Sequence, residues 1–150
     1  MNVEDTADAM VIALKYHAID IERIISWADE NIKASENPNI NIIELSLAKT
    51  ESEAISSLNK ISGEGGNKKN ISKIFFGYFY DALVNDRVTY EDISKGLYFL
   101  SQDGYEPEEG LSGDMMFFWD GIELADRGYF EKNTKEIKSD MLELLRKNKA

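Results

Sequence analysis

ISKIFFGYFYDALV, residues 71–84, is the stretch of sequence that decides the fold. Its apolar and aromatic side chains occupy almost every position, so a helix built from it is apolar on nearly all sides. A helix of this kind is usually buried at the centre of a domain. We therefore expect an all-α protein in which this helix lies near the middle of the core.

A glycine-containing segment precedes this helix, and residues 63–69 read GEGGNKK. Glycines followed by a lysine invite comparison with a phosphate-binding loop, but such a loop ends in Gly-Lys-Ser or Gly-Lys-Thr after a buried strand. Here Gly66 is followed by Asn67 and two lysines, so a mobile linker is favoured over a nucleotide site. Because composition is similar on its two sides, we interpret the segment as a loop within one domain.

Helical periodicity extends along the rest of the chain, where apolar residues recur at intervals of three and four. Asp20 and the pair Thr50 and Glu53 have the spacing of helix caps. Residues 39–48 fit either a short strand or a turn of helix, and helix is preferred because no second strand candidate lies nearby. The sequence predicts a single compact domain, residues 1–150, with six or seven helices.

Composition and charge exclude several classes of function. The chain has no cysteine, which removes disulfides, thiolate zinc sites and cysteine nucleophiles. A net charge of −11 opposes binding to nucleic acid or to an anionic membrane. The most apolar window, residues 74–80, is far shorter than the roughly 20 residues that span a bilayer. The acidic residues 1–9 do not resemble a secretory signal, so we expect a soluble cytoplasmic protein.

Acidic residues concentrate between Asp81 and Asp126, a segment with twelve acidic residues and only two bases, Arg87 and Lys95. The rest of the chain holds sixteen acidic and fifteen basic residues, which nearly balance. A concentrated acidic surface favours fast, salt-sensitive association with a basic partner. We therefore expect a basic protein partner, although a solvated acidic face without a partner is an alternative.

The later part of this segment, residues 103–126, is the sharper candidate because an acidic loop there runs into an aromatic helix. The bulky residues 115–119 cannot all face one core, so Met116 or Trp119 should lie near the surface. An aromatic residue inside an acidic rim is typical of an interface anchor. The expected partner-binding residues are Asp103, Tyr105, Glu106, Glu108, Glu109, Asp114, Met116, Trp119, Asp120, Glu123 and Asp126.

Catalytic and metal-binding alternatives find less support in the sequence. His17 is the only histidine; at helical spacing its upstream neighbours Ala13 and Leu14 offer no nucleophile or ligand, and the only acidic neighbour is Asp20. Residues 103–114 lack the alternating acids and terminal glutamate of a helix-loop-helix calcium site. We therefore expect no enzyme, no metal and no cofactor. The alternative is a small helical enzyme or metal-dependent domain that uses the clustered carboxylates.

A resemblance of layout covers roughly the first half of the chain. Trp27-Ala28-Asp29, Asn37-Pro38, Ile42-Ile43-Glu44-Leu45 and Ile55-Ser56-Ser57-Leu58 follow one another in an acidic, cysteine-free chain. This layout resembles bacterial immunity proteins of contact-dependent growth inhibition and related polymorphic toxin systems. The resemblance implies a cytoplasmic protein that binds the C-terminal toxin domain of a delivered effector, often a nuclease, and blocks its active site.

Overall fold

The computed structural model describes residues 2–63, 65–129 and 133–150, which form eight α-helices and no β-strand. The all-α prediction is confirmed. The predicted count of six or seven helices is too low, because residues 39–48 contain a short helix of their own. The helices are α1 (Val3–Lys15), α2 (Ile21–Ala34), α3 (Ile40–Ser46), α4 (Glu51–Ser62), α5 (Lys68–Val84), α6 (Tyr90–Gln102), α7 (Ser112–Asp126) and α8 (Thr134–Asn148).

The chain divides into two compact units at the glycine-containing segment. Unit 1 is Met1–Asn67 and contains α1 to α4, whereas unit 2 is Lys68–Ala150 and contains α5 to α8. The helix α5 begins at Lys68, so the two lysines belong to its first turn and not to the connector. The expectation of one domain over residues 1–150 stays a prediction, and each unit is described by itself.

Unit 1 is built from short helices with aliphatic cores. In this unit α1 packs against α4, and α3 packs against both α2 and α4. The largest fully buried side chains of the unit are Met10, Ile24, Leu45 and Leu58. A single aromatic residue accompanies each of the first two helices, Tyr16 after α1 and Trp27 within α2, so aliphatic side chains supply most of the buried area.

The predicted helix starts of unit 1 are confirmed by their hydrogen bonds. The Asp20 carboxylate accepts a hydrogen bond from the Arg23 amide at 3.0 Å, and the Thr50 hydroxyl accepts one from the Glu53 amide at 3.1 Å. The Glu53 carboxylate accepts in return from the amide of Lys49 at 2.7 Å, one residue earlier than the usual capping box. These local bonds fix where α2 and α4 begin.

Unit 2 is built around aromatic side chains. In α5 the rings of Phe75, Phe76 and Phe79 are fully buried, and Phe75 lies 5.6 Å from Phe76 and 5.3 Å from Phe79 between ring centroids. This helix packs against α8, α8 packs against α7, and α7 packs against α6. The pair α6 and α7, joined by the acidic loop of residues 103–111, carries most of the predicted partner-binding residues.

Candidate functional site

The acidic loop begins with two residues that are fixed to α5. The ammonium of Lys68 donates a hydrogen bond to the Asp103 carbonyl oxygen at 2.6 Å. The same ammonium lies 4.9 Å from the ring centroid of Tyr105, and this ring packs edge-on against Phe75 at 5.9 Å. The half-buried Tyr105 therefore anchors the start of the loop, and the Asp103 carbonyl oxygen is held by α5.

Glu106 closes the loop onto the start of α7. Its carboxylate accepts a hydrogen bond from the amide of Ser112, the first residue of α7, at 3.1 Å. No side chain of the preceding residue Leu111 caps this helix, so Glu106 supplies the negative group that a helix N-terminus favours. Glu108 and Glu109 are exposed loop residues, as is Asp103.

The helix α7 buries one face and exposes an acidic and apolar one. Its buried side chains include Met115, Phe118 and Ile122. On the opposite side, Phe117 and Leu124 are 38% and 40% exposed. We call the set Met116, Phe117, Asp120, Glu123 and Leu124 the outer face of α7. Asp120 follows Phe117 by three residues and precedes Leu124 by four, which places its carboxylate between them on the helix surface.

Phe117 is the surface aromatic that sequence reasoning missed. Met116 and Trp119, the two expected near the surface, are each only half-buried. The Trp119 ring packs against Tyr98 at 5.2 Å and Phe99 at 5.7 Å, so it belongs to a cluster with α6. Phe117 and Leu124 lie seven residues apart and so share one side of the helix, but this spacing is equally typical of a buried stripe, so the sequence held no signal specific to this face.

A glycine positions the Phe117 ring. A Cβ atom placed on Gly121 would lie 2.7 Å from the Cζ atom of Phe117, closer than carbon atoms can approach. The ring therefore lies against the backbone of its own helix, in a space that any other residue at position 121 would fill. One side of the Phe117 ring is thus exposed to solvent, and the other contacts the backbone of α7 at Gly121.

A groove forms beside the outer face, where the start of α6 and the second half of α7 meet α8. It encloses about 430 Å³. The lining includes two aromatic residues, three carboxylates and one ammonium group: Tyr90, Trp119, Glu91, Glu123, Asp126 and Lys138. We call it the α6–α8 groove. Tyr90, Glu91 and Lys138 were absent from the sequence-based site, because only the fold brings them to Trp119.

Several groups of the groove already interact with one another. The Lys138 ammonium lies 5.3 Å from the Tyr90 ring centroid, and Glu123 forms an exposed ion pair with Arg127 at 2.7 Å. The Asp126 carboxylate accepts a hydrogen bond from the Thr134 hydroxyl at 2.5 Å. Burial raises the pKa of Tyr90 above 10.0, and the Asp86 charge raises it further, so Tyr90 is neutral at physiological pH.

The eleven predicted partner-binding residues thus occupy four places in unit 2. Asp103, Tyr105 and Glu106 hold the loop, while Glu108 and Glu109 project from it into solvent. Exposed Asp114 lies in the first turn of α7, and Met116, Asp120 and Glu123 lie on its outer face. Trp119, Glu123 and Asp126 line the groove, so Glu123 belongs to both surfaces.

The described residues form neither a cluster of metal ligands nor a helix that could cross a membrane. Within residues 2–63, 65–129 and 133–150, no three His, Cys, Asp or Glu side chains are placed to hold a metal ion. Among the helices of these same ranges, none is both long enough and apolar enough to cross a bilayer. His17 is exposed in a left-handed turn after α1, with φ of 64°.

Comparison with known proteins gives no family assignment for this arrangement. The function of the site is therefore inferred from its residues, geometry and charge. No protein-family model, no curated protein and no solved structure matches the chain.

Proposed function

We propose that this protein binds a basic protein partner through the acidic surface of unit 2 and thereby neutralises it. In its most specific form, the proposal is a bacterial immunity protein that blocks a cognate toxin domain, such as a nuclease, in the cytoplasm. Neutralisation is by occlusion, so it requires no catalytic step and no cofactor. The layout of residues 27–58 supports the immunity form, and the surface of unit 2 supports the basic partner.

The outer face of α7 is the observation that carries the proposal. It exposes Phe117 and Leu124, with Asp120 between them and Glu123 one turn away. Large apolar side chains supply the buried area that drives association, and surrounding charges set its rate and exclude wrong partners. A face that combines apolar side chains with carboxylates is complementary to a binding site that contains both basic and apolar residues.

The loop extends this surface without adding disorder. Glu106 and Tyr105 fix its two sections to α7 and α5, so Glu108 and Glu109 project from an ordered segment. Ordered carboxylates lose less conformational freedom on binding than the same groups on a mobile chain. The loop therefore supports a preformed interface.

The test is binding to the toxin domain encoded beside this protein's gene. We expect a one-to-one complex whose association rate constant falls about tenfold or more between low and high ionic strength, because opposite charges steer the encounter. Surface plasmon resonance at several salt concentrations measures this rate. Charge reversal to lysine at Glu108, Glu109, Asp120 and Glu123 should lower the association rate and weaken the complex.

In the matched control, lysine replaces four exposed acidic residues of unit 1, so the net charge changes by the same amount as in the unit 2 variant. These residues are Asp29, Glu30, Glu36 and Glu44. This control should retain more of the parent's affinity than the unit 2 variant, and circular dichroism should show that both remain helical. Absence of a complex contradicts the immunity proposal. Equal loss in both variants means that overall charge, and not the outer face, governs binding.

A further inference from the structure

The α6–α8 groove has the size and floor of a side-chain pocket. Its volume of about 430 Å³ falls in the range of small-ligand sites, roughly 300–1,000 Å³. Ser94 and Ile122 are buried at its base, and Trp119 and Tyr90 present half-buried aromatic rings along it. Such a groove can enclose the end of one long side chain from a partner.

The charge around the groove favours a cationic occupant. Glu91 on α6 and Glu123 and Asp126 on α7 are exposed carboxylates of the lining, and Lys138 on α8 is its one ammonium group. The lining itself therefore has three carboxylates and one ammonium group, while two further cations, Lys95 and Arg127, contact it from outside. Aromatic faces add to this preference, because cations are attracted to the electron-rich face of Trp and Tyr.

Three cations of the chain already contact these groups. The ammonium of Lys138 lies 5.3 Å from the Tyr90 ring centroid, and that of Lys95 lies 5.9 Å from Trp119. Arg127 pairs with Glu123 at 2.7 Å, with both side chains more than half exposed. Exposed pairs of this kind contribute little, so an incoming cation can replace them at small cost.

We propose that the α6–α8 groove receives an arginine side chain of the basic protein partner. The planar guanidinium can stack on an aromatic ring while it donates two parallel hydrogen bonds to a carboxylate, and a lysine ammonium cannot do both. Trp119 supplies the ring, and Glu91 on α6 and Asp126 on α7 supply carboxylates, with the guanidinium donating to the Asp126 carboxylate beside or in place of the Thr134 hydroxyl. This proposal rests on the proposed function, since it names how the partner is held.

The test uses short peptides and the intact protein. An acetylated and amidated pentapeptide with two arginines between glycines is titrated into isotope-labelled protein at low salt. We expect the amides of Glu91, Ser94 and Asp126 and the indole N–H of Trp119 to shift in the NMR spectrum. The indole signal is assigned with the variant Trp27→Phe, which leaves Trp119 as the single tryptophan of the chain.

Two peptide controls separate the chemistry of the side chain from its charge. The lysine pentapeptide should bind about tenfold more weakly, the difference expected for one charge-assisted hydrogen bond. The citrulline pentapeptide, equal in shape but neutral, should cause no shift in the groove. Binding by citrulline, or equal binding by lysine and arginine, overturns the assignment. Spermidine that binds as tightly as the arginine peptide overturns it in favour of a polyamine site.

Protein variants locate the site within the acidic surface. The double variant Glu91→Gln, Asp126→Asn should weaken the arginine peptide about tenfold or more, since two carboxylates lose their charge. The control variant Asp92→Asn, Glu136→Gln removes the same charge from exposed residues outside the groove lining and should bind within about twofold of the parent. Equal weakening in the two variants shows a diffuse acidic surface and contradicts the groove.

The outcomes also distinguish this inference from the proposed function. If the toxin domain binds the parent and the Glu91→Gln, Asp126→Asn variant equally, the groove assignment is wrong while neutralisation stands. If the arginine peptide binds in the groove but the toxin domain forms no complex, the immunity proposal is wrong. The groove would then still be an arginine-binding site.

Discussion

The two units of this chain place their charge in different ways. Unit 1 holds twelve acidic and five basic residues spread along its helices. Unit 2 holds sixteen acidic and twelve basic residues, but twelve of its acids lie between Asp81 and Asp126, where only two bases occur. Outside that segment, acidic and basic residues nearly balance in number, because the excess of acidic residues in unit 1 is offset by an excess of basic residues in the rest of unit 2.

The surface cavities show why this difference matters. Unit 1 has a groove of about 400 Å³ whose polar lining is mainly uncharged, with Asn31, Ser35, Asn37 and Asn39 and one carboxylate, Glu4. The α6–α8 groove of unit 2 has three carboxylates, although unit 2 has the smaller excess of acidic residues. Net charge alone would point to unit 1. What distinguishes unit 2 is that its acids gather beside exposed aromatic residues.

Aromatic content separates the units as clearly as charge. Fourteen of the sixteen aromatic residues lie in unit 2, including every phenylalanine. An aromatic core leaves some rings at its edge, and Phe117 and Phe99 are such rings, 38% and 40% exposed. The three predictions that follow test the contrast between the units, beginning with the largest expected effect.

The first prediction concerns the aromatic core of unit 2. Phe75→Ala should lower the free energy of unfolding of unit 2 by about 3–5 kcal/mol, because Phe75 is fully buried among Phe76, Phe79 and Tyr105. Phe117→Ala is the matched control and should cost about 1 kcal/mol, since its ring is part-exposed. Chemical denaturation followed by near-ultraviolet circular dichroism measures both. Similar losses in the two variants would mean that Phe117 is a core residue.

The second prediction compares two carboxylates, one in each unit. Each accepts a hydrogen bond from a backbone amide and thereby fixes a connecting segment. Asp5, 3% exposed, accepts a hydrogen bond from the Asn67 amide at 3.2 Å, and Glu106 accepts one from Ser112 at 3.1 Å. Asp5→Ala should cost about 1.5–3 kcal/mol, the usual contribution of a hydrogen bond to a charged group, because it removes the carboxylate that accepts from the Asn67 amide. Glu106→Ala should cost about 1 kcal/mol, the usual loss for a helix cap.

The conservative variants Asp5→Asn and Glu106→Gln keep an oxygen acceptor and should recover part of each loss. Limited proteolysis adds a second measurement, because Asp5→Ala should increase cleavage near residues 63–67. If Asp5→Asn is as unstable as Asp5→Ala, the negative charge near the start of α1 matters more than the bond to Asn67.

The third and smallest prediction is a pH effect confined to unit 1. Burial raises the pKa of Asp8 above its ordinary value of 3.8, the Ser62 hydrogen bond lowers it, and the charges of Asp5 and Glu4 raise it further. The folded state therefore holds the Asp8 proton more tightly than the unfolded state does. Ionised Asp8 opposes folding, and this cost is present at neutral pH and disappears as the pH falls to the unfolded value.

Asp8→Asn should accordingly stabilise unit 1 at neutral pH, and its advantage should shrink towards zero near pH 3.8. Chemical denaturation at neutral and acidic pH measures the difference. Asp29→Asn, at an exposed position of α2, is the control and should show a smaller gain. A loss of stability in Asp8→Asn at neutral pH would contradict the prediction.

Features decided by neighbouring residues could be predicted from the sequence. Asp20 and Thr50 cap helices where their spacing predicted, because a cap depends on residues two or three positions away. For residues 39–48 the sequence left helix and strand open with helix preferred, and the structure has the short helix α3, which Asn39 caps by accepting from the Asn41 amide at 2.8 Å. These elements required no knowledge of tertiary structure.

Features decided by packing between distant segments could not be predicted. Residues 115–119 are apolar throughout, so their pattern does not show which ring faces solvent; the packing of Trp119 onto α6 leaves Phe117 outside. The α6–α8 groove joins Glu91, Trp119 and Lys138 from three separate helices. From the sequence, Glu106 was expected to bind a partner. Its hydrogen bond to Ser112 could not be foreseen, because that bond depends on the path of the loop.

The contact between Phe117 and Gly121 has a consequence for the lifetime of a complex. The ring lies against its own helix, in the space left by the missing Cβ of Gly121, and a larger residue at position 121 would displace it. Fixing a displaced side chain again at an interface costs about 0.5–1.5 kcal/mol. Carboxylates mainly govern how fast partners meet, whereas a prearranged apolar anchor mainly slows their separation. Gly121 is therefore the position at which residence time can be tuned without altering the approach.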